Sequence, residues 1–183
     1  LIMGPPGVGK GTQASHIKNK LNIAHLSTGD ILRAEIEKKT DTGVQAKFYM
    51  DGGKLVPDQV LLDIIQNRIN NPDCDGGYLL DGFPRTLPQA VGLEKIMESI
   101  NHTLDSVISL TANKNELVER LIKRGAESGR SDDTPEVIRN RQKIYWEQTA
   151  PLLDFYQKKG ILKDVDGLGE ISEITERILT VLK

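Results

Sequence analysis

Short apolar runs alternate with amphipathic segments along the whole chain. Buried strands are predicted at 1–3, 24–26, 77–80, 106–110 and 161–165. Apolar positions at helical spacing predict helices at 10–21, 30–38, 44–50, 58–69, 87–100, 114–123, 135–159 and 171–182. Strands separated by helices are typical of βα units. The predicted fold class is therefore α/β, with a parallel sheet of about five strands and helices on both faces.

The long helical segment after residue 134 carries its own start signal and its own interruption. Thr134 supplies a capping hydroxyl directly before Pro135, and proline suits the first position of a helix. Pro151 lies inside the segment. It predicts a kink or a break there, because proline lacks the N–H group that a helix interior uses.

Two stretches interrupt the regular alternation. Residues 28–57 predict two or three short helices and no strand, whereas residues 125–133 are polar and contain glycines. Such segments often grip or cover a substrate, but composition alone leaves a solvent-facing connection equally open. We expect a single domain over 1–183, with a core at 1–26, 58–124 and 134–183, a helical lobe at 27–57 and a lid at 125–133.

Composition and charge narrow the classes of partner. The 183 residues include 24 Lys and Arg and 26 Asp and Glu, which gives a formal net charge of −2. This balance provides no general attraction to nucleic acid or to an anionic membrane, so we expect neither as a partner. Cys74 is the one cysteine, which excludes an internal disulfide and a four-cysteine zinc site. A reduced thiol in a cytoplasmic protein is the expectation.

The start of the chain matters for the expected cytoplasmic location. No apolar run approaches the roughly 18 residues of a transmembrane helix, and no signal peptide is visible. However, the run Leu1-Ile2-Met3 looks like only the end of a strand. We therefore expect a few residues to have preceded it, and a targeting segment could have been among them.

The strongest chemical signal is the run Gly4-Pro5-Pro6-Gly7-Val8-Gly9-Lys10-Gly11-Thr12, between a strand end and a helix start. Glycines let the backbone turn its N–H groups around a phosphate, and a lysine at this position reaches the outer phosphates. The general phosphate-loop pattern has Ser or Thr directly after the lysine to bind Mg²⁺. Here that position is Gly11, which places direct magnesium binding by a loop hydroxyl in doubt.

Arginines and acidic residues at the edges of loops add further candidates for phosphate and metal binding. Arginine binds phosphate oxygens in a bidentate manner and keeps its charge at any working pH. The candidate arginines are Arg33, Arg85, Arg120, Arg124, Arg130 and Arg141. Asp81 ends a predicted strand and faces the expected crevice, where it could hold the water shell of Mg²⁺, with help from Asp30. Either aspartate could instead be a helix cap or turn residue.

Several of these motifs, in their order along the chain, resemble the adenylate kinase family. The matching segments are the phosphate loop at 4–12, Leu26-Ser27-Thr28-Gly29-Asp30-Ile31-Leu32-Arg33, Gly53-Lys54-Leu55-Val56-Pro57, Leu79-Leu80-Asp81-Gly82-Phe83-Pro84-Arg85-Thr86, Gly129-Arg130-Ser131-Asp132-Asp133 and Val165-Asp166-Gly167. The resemblance covers nearly the whole chain. The stretch between Arg124 and Thr134 is similar to the short-lid branch of the family, which has no zinc-binding insertion.

The resemblance implies a P-loop-type kinase that transfers a phosphoryl group from ATP to AMP with Mg²⁺, and we expect a monomer. It implies ATP binding by Gly7, Val8, Gly9, Lys10, Gly11, Thr12, Arg120, Arg124 and Gly169. It implies AMP binding by Thr28, Arg33, Lys54, Leu55, Val56, Gly82, Phe83, Pro84, Arg85, Gln89, Arg130 and Arg141. The implied catalytic residues are Lys10, Arg85, Arg124, Arg130 and Arg141, and the metal is held through water by Asp81 and Asp30.

The identity of the acceptor base separates this interpretation from its nearest alternative. In the family that this chain resembles, a threonine at the position of Thr28 packs by the AMP base, and a glutamine at the position of Gln89 reads the adenine edge. Gln89 could instead be an exposed helix residue. A pyrimidine monophosphate kinase shares nearly every motif. A regulatory module without catalysis and a nucleic-acid motor are more distant alternatives.

Overall fold

The protein is built around one parallel sheet. A computed structural model describes residues 1–128 and 130–183 of the chain. The five strands run in the order β2-β3-β1-β4-β5, and every paired neighbour is parallel. They are β1 (Ile2–Met3), β2 (Ala24–Ser27), β3 (Tyr78–Asp81), β4 (Val107–Thr111) and β5 (Leu162–Asp166). Each strand begins and ends within one residue of its predicted segment, so the predicted fold class is confirmed.

Helices connect the strands and follow the last one. The described α-helices are α1 (Lys10–Leu21), α2 (Thr28–Glu37), α3 (Asp41–Asp51), α4 (Asp58–Ile69), α5 (Leu87–Ser99), α6 (Lys114–Ser128), α7 (Pro135–Ile144), α8 (Pro151–Lys158) and α9 (Ile171–Val181). Short 3₁₀ turns lie at Pro72–Cys74 and Ser131–Asp133, and a π-helical turn spans Tyr145–Thr149. None of these described helices is both long enough and apolar enough to cross a membrane.

The structure corrects one predicted helix end and confirms one predicted helix break. The predicted end of α6 at residue 123 is wrong, because the helix continues to Ser128 and includes residues that were expected in the lid. Polar composition alone does not end a helix, and the Ala126–Glu127 pair favours one. Gly129, from the expected lid, lies outside the described residues. The predicted break near Pro151 is confirmed, since the proline begins α8 after the π turn.

Alternate strand residues face opposite sides of the sheet and meet different helices. Ile2 and Leu79 belong to a core shared with Ala14 and Ile17 of α1. Met3 and Leu80 belong to a second core on the other face, which includes residues of α4, α5 and α8. This two-residue alternation explains why the central strands β1, β3 and β4 are mostly apolar, since both of their faces are covered.

The sheet order creates the crevice that the site occupies. β1 lies between β3 and β4. The chain leaves β1 towards β2 on one side, and the later connection from β3 through α5 crosses to β4 on the other side. In open parallel sheets, ligands bind beyond the carboxyl ends of the strands at such a switch point. The loop after Met3 and the carboxylate of Asp81 both lie at this edge.

Candidate active site

A cavity of about 810 Å³ opens at the carboxyl ends of β1 and β3. Its wall contains the phosphate loop, the start of α2, the segment 53–56, the segment after β3, and residues of α6 and α7. Every residue that the sequence assigned to nucleotide or metal binding lines this cavity, except Gln89. The fold therefore brings motifs that lie far apart in the sequence to one place.

The phosphate loop depends on glycine where it turns. Gly7 has φ +90°, and a Cβ at this position would lie 2.7 Å from the Leu117 main-chain oxygen. Gly9 precedes α1 with φ +97°, and no side chain caps the helix that follows it. The first N–H groups of α1 are thus available to an anion in the cavity.

Lys10 is half-buried at the base of the cavity. Its Nζ donates to the main-chain oxygens of Gly4 at 2.7 Å and Pro5 at 3.1 Å. Burial lowers the pKa of this lysine to about 7, and the nearby charge of Asp81 opposes the shift only in part. Because a nearby negative charge favours the charged form of a lysine, a bound polyanion would raise this pKa again.

Arg85 is also half-buried and is held by its own loop. Its Nε donates to the Gly82 main-chain oxygen at 2.7 Å, and Thr28 Oγ1 donates to the same oxygen at 3.0 Å. Burial, followed by the positive charge of Arg141, lowers the pKa of the Arg85 guanidinium to about 10. Gly82 itself has φ +79°, and a Cβ there would lie 2.9 Å from Arg85 Nη2.

Asp133 joins two of the expected arginines. Arg124 donates to it through Nε at 2.7 Å and Nη2 at 2.8 Å, and Arg141 Nη1 donates to it at 2.7 Å. The Asp133 side chain is completely buried. Burial alone would raise the pKa of this carboxyl, but the hydrogen bonds and charge of Arg124, with the charge of Arg141, outweigh burial and lower it. Asp132 adds a second acidic contact to Arg141 at 3.1 Å.

Two further expected arginines, Arg33 and Arg120, carry acidic partners on their own helices. Arg33 pairs with Asp30 within the first turns of α2. Arg120 Nη2 lies 2.5 Å from Glu116 on α6. Since the Asp30 side chain is exposed and paired with Arg33, its case for holding the water shell of a metal ion is weaker than that of Asp81. The N-cap of α2 is Ser27, so Asp30 is not the cap.

Asp81 has a partner that the sequence did not reveal. His25 Nε2 lies 3.2 Å from Asp81 Oδ2, and both side chains face the cavity. The sequence analysis assigned His25 no role, because the contact depends on the register between β2 and β3. A Cβ on Gly11 would lie 3.6 Å from Asp81 Oδ2. The carboxylate is therefore adjacent to the position where other phosphate loops carry a hydroxyl.

Gln89 lies behind the cavity wall. Its side chain is fully buried, so the alternative of an exposed helix residue is wrong. Its Oε1 accepts from the Arg85 N–H at 2.7 Å, and its Nε2 donates to Asp58 Oδ1 at 2.8 Å. Both ends of the amide are thus hydrogen-bonded within the protein in this structure, and the expected contact of Gln89 with the adenine edge stays a prediction.

The turn after β5 completes the wall. Gly169 lines the cavity with φ +116°. Arg177 of α9 holds this turn, since its Nη1 donates to the Leu168 oxygen at 2.6 Å and to the Asp166 oxygen at 3.1 Å. The main chain of Gly169 therefore faces the cavity from a turn that Arg177 holds in place.

Asp133→Asn tests how far one buried carboxylate stabilises the arginine group. We expect a loss of roughly 3–5 kcal/mol in the free energy of unfolding at pH 7, since two cations lose a buried partner. Because the folded pKa of Asp133 is lowered, its stabilisation is present above the unfolded pKa and disappears as pH falls through the folded value. Denaturant unfolding from pH 7 to pH 3 should show the two proteins converging in acid.

The control for this measurement is Asp73→Asn. Asp73 makes a similar paired contact with Arg68, but on the exposed surface, where such pairs contribute little. A loss for Asp133→Asn no larger than the loss for Asp73→Asn would contradict the assigned role.

Comparisons with known proteins agree with the geometry of this cavity. The family model described as adenylate kinase matches residues 2–161. A relative named adenylate kinase from Leptospira biflexa is 51% identical over 179 residues, covering 98% of this chain and 96% of the relative. Relatives of the same name from Nocardioides sp. and Stenotrophomonas maltophilia are each 49% identical and cover 100% of this chain, and 95% and 98% of their own lengths are matched. The chain belongs to the adenylate kinase family.

Proposed function

We propose that the protein catalyses the reversible, magnesium-dependent transfer of the terminal phosphoryl group of ATP to AMP, giving two ADP. The observation that carries this proposal is the convergence of the phosphate loop and several buried or half-buried arginines on one cavity. A pure nucleotide sensor has no use for so many cations at the position of a transferred phosphoryl group. Phosphoryl transfer is catalysed almost entirely by positioning and charge stabilisation, and this wall supplies both.

The charged groups divide between donor and acceptor. We assign the ATP phosphates to the loop 7–12, with Lys10 following the transferred group, and the AMP phosphate to Arg33 and Arg85. Arg124, Arg130 and Arg141 neutralise the charge that spreads over the transferred phosphoryl. We assign the ATP adenine to a wall made by the guanidinium plane of Arg120 and the main chain of Gly169.

The reaction needs no general base from the protein. The attacking atom is a phosphate oxygen of AMP, which is already deprotonated near neutral pH, so positioning and charge neutralisation suffice. The lobe at 27–57 and the lid at 125–133 would exclude water from the transferred group. Near-neutral net charge supports small nucleotides over nucleic acid as the partner. A zinc-free cytoplasmic monomer stays a prediction.

The acidic residues present fit a magnesium ion that is held through water. Mg²⁺ keeps several waters and favours carboxylate oxygen, and the Asp81 carboxylate lies beside Gly11, where a loop hydroxyl is absent. The ion, when bound, would neutralise phosphate charge. Within the described residues, no cluster of three or more His, Cys, Asp or Glu side chains forms a metal cage.

Asp81→Asn should therefore weaken magnesium use more than Thr12→Val does. We expect Asp81→Asn to raise the magnesium concentration for half-maximal rate by about tenfold or more, the scale of losses for outer-sphere partners. The measurement is a magnesium titration of both variants at saturating nucleotide. A larger shift for Thr12→Val would place the metal at the loop hydroxyl instead.

A nucleotide panel tests the function and its nearest alternative together. With ATP as donor, we expect kcat/KM for AMP to exceed the values for CMP and UMP by at least about 100-fold, since a site that pairs with one base edge leaves groups unpaired with another. Equal or better turnover of CMP would indicate a pyrimidine monophosphate kinase. No turnover with any acceptor would favour the regulatory module.

The control for the panel is Lys10→Met, purified in parallel. We expect its kcat to fall by about 100-fold or more, as when one preorganised electrostatic donor is removed. Equal rates in both preparations would mean that a contaminating host kinase produced the signal.

A further inference from the structure

The main chain of Arg85 is held on both sides by buried side chains. Its N–H donates to Gln89 Oε1 at 2.7 Å, and its carbonyl oxygen accepts from Thr149 Oγ1 at 2.8 Å. Gln89 lies in α5, whereas Thr149 ends the π turn between α7 and α8. Their exposed fractions are 0% and 6%. Two helical segments that are distant from each other in sequence therefore hold the main chain of Arg85. We call this pair of hydrogen bonds the Arg85 clamp.

The π turn explains how Thr149 reaches this position. Arg141, Tyr145 and Thr149 all line the cavity, at steps of four residues. In a regular α-helix, each such step advances about 40° beyond a full turn, so Thr149 would lie about 80° away from Arg141. The wider turn, in which Ala150 N–H donates to the Tyr145 oxygen, reduces this drift. Helix irregularities of this kind are frequent at functional sites.

We propose that Thr149 is a positioning residue for phosphoryl transfer, and that its hydroxyl fixes the main chain of Arg85 so that the guanidinium meets the acceptor phosphate. This inference rests on the proposed function, which assigns the AMP phosphate to Arg85. The Arg85 Nε is already bonded to the Gly82 oxygen, so the side chain has little freedom of its own. The orientation of the guanidinium then follows the orientation of its main chain, and small displacements of a binding group are costly to rate.

The buried amide of Gln89 also connects the Arg85 clamp to the start of α4. Its Nε2 and the Thr86 hydroxyl both donate to Asp58 Oδ1, at 2.8 Å and 3.0 Å. Asp58 begins α4, directly after the segment that closes the lobe. The acceptor side of the cavity is thus connected by hydrogen bonds from α4 through Gln89 and Arg85 to Thr149.

The test compares Thr149→Val, which keeps the shape and removes the hydroxyl, with Thr149→Ser, which keeps the hydroxyl. We expect Thr149→Val to raise the KM for AMP by about tenfold, the scale of one lost hydrogen bond, while the KM for ATP stays within about twofold. Thr149→Ser should restore most of the AMP value. Thr149→Ala replaces the valine variant if that protein does not fold.

A stability control separates positioning from a general loss of packing. Ile178→Val removes a buried methyl group from the core around α9, away from the cavity, and should lower the melting temperature without changing either KM. A rise in both KM values in proportion to the loss of melting temperature, as a purely structural role predicts, would overturn the inference.

A double-mutant cycle with Arg85→Ala tests whether Thr149 acts through Arg85. Calorimetric AMP binding should weaken in each single variant, and Thr149→Val should add little once Arg85 is gone. Full additivity would show that Thr149 contacts the nucleotide directly and would overturn the inference. Absence of phosphoryl transfer by the wild-type protein would overturn the proposed function instead. AMP binding unchanged by Thr149→Val would overturn only the clamp.

Discussion

The site depends on holding several cations in one cavity, partly removed from water and close to one another. Burial and neighbouring arginines lower the pKa of Lys10 to about 7 and that of Arg85 to about 10. Burial also lowers the pKa of Arg130, and the charge of Arg33 adds to the effect. These shifts record a free-energy cost of holding positive charge away from water and close to like charge. A polyphosphate removes much of that cost when it binds.

Aspartates and main-chain oxygens hold the arrangement before a ligand arrives. Asp133 connects Arg124 with Arg141, and its side chain has no exposure to water. Lys10 lies against the oxygens of its own loop. The sheet makes this possible, because the carboxyl ends of β1 and its neighbour β3 bring the loop and Asp81 to the same edge. Motion at the cavity wall is then restricted by the Arg85 clamp, by the turn at Gly82 and by the hydrogen bonds of Arg177 to the turn after β5. Little reorganisation is therefore left for the chemical step.

Local sequence signals predicted the fold and most of the cavity wall, whereas contacts between distant segments were not predictable. Glycine spacing around Lys10 and the position of Asp81 at a strand end are local features that carry their own physical reason. The bond from Thr149 to Arg85 spans 64 residues, and the contact of His25 with Asp81 spans 56. Neither leaves a local pattern, because each depends on strand register or helix packing. The end of α6 was missed for a related reason. Gly125, which the sequence placed in the lid, lies within α6 and packs against Asp133.

The cavity holds positive charge at a free-energy cost that ATP relieves, so proton uptake should accompany ATP binding. At pH 8 most of Lys10 is neutral in the free protein, because its pKa is about 7. Calorimetry in two buffers of different ionisation enthalpy should then show that the wild-type protein takes up close to one proton more than Lys10→Met when ATP binds. Lys18→Met, on the exposed face of α1, should behave like the wild type. Equal proton uptake in the wild type and Lys10→Met would contradict the account.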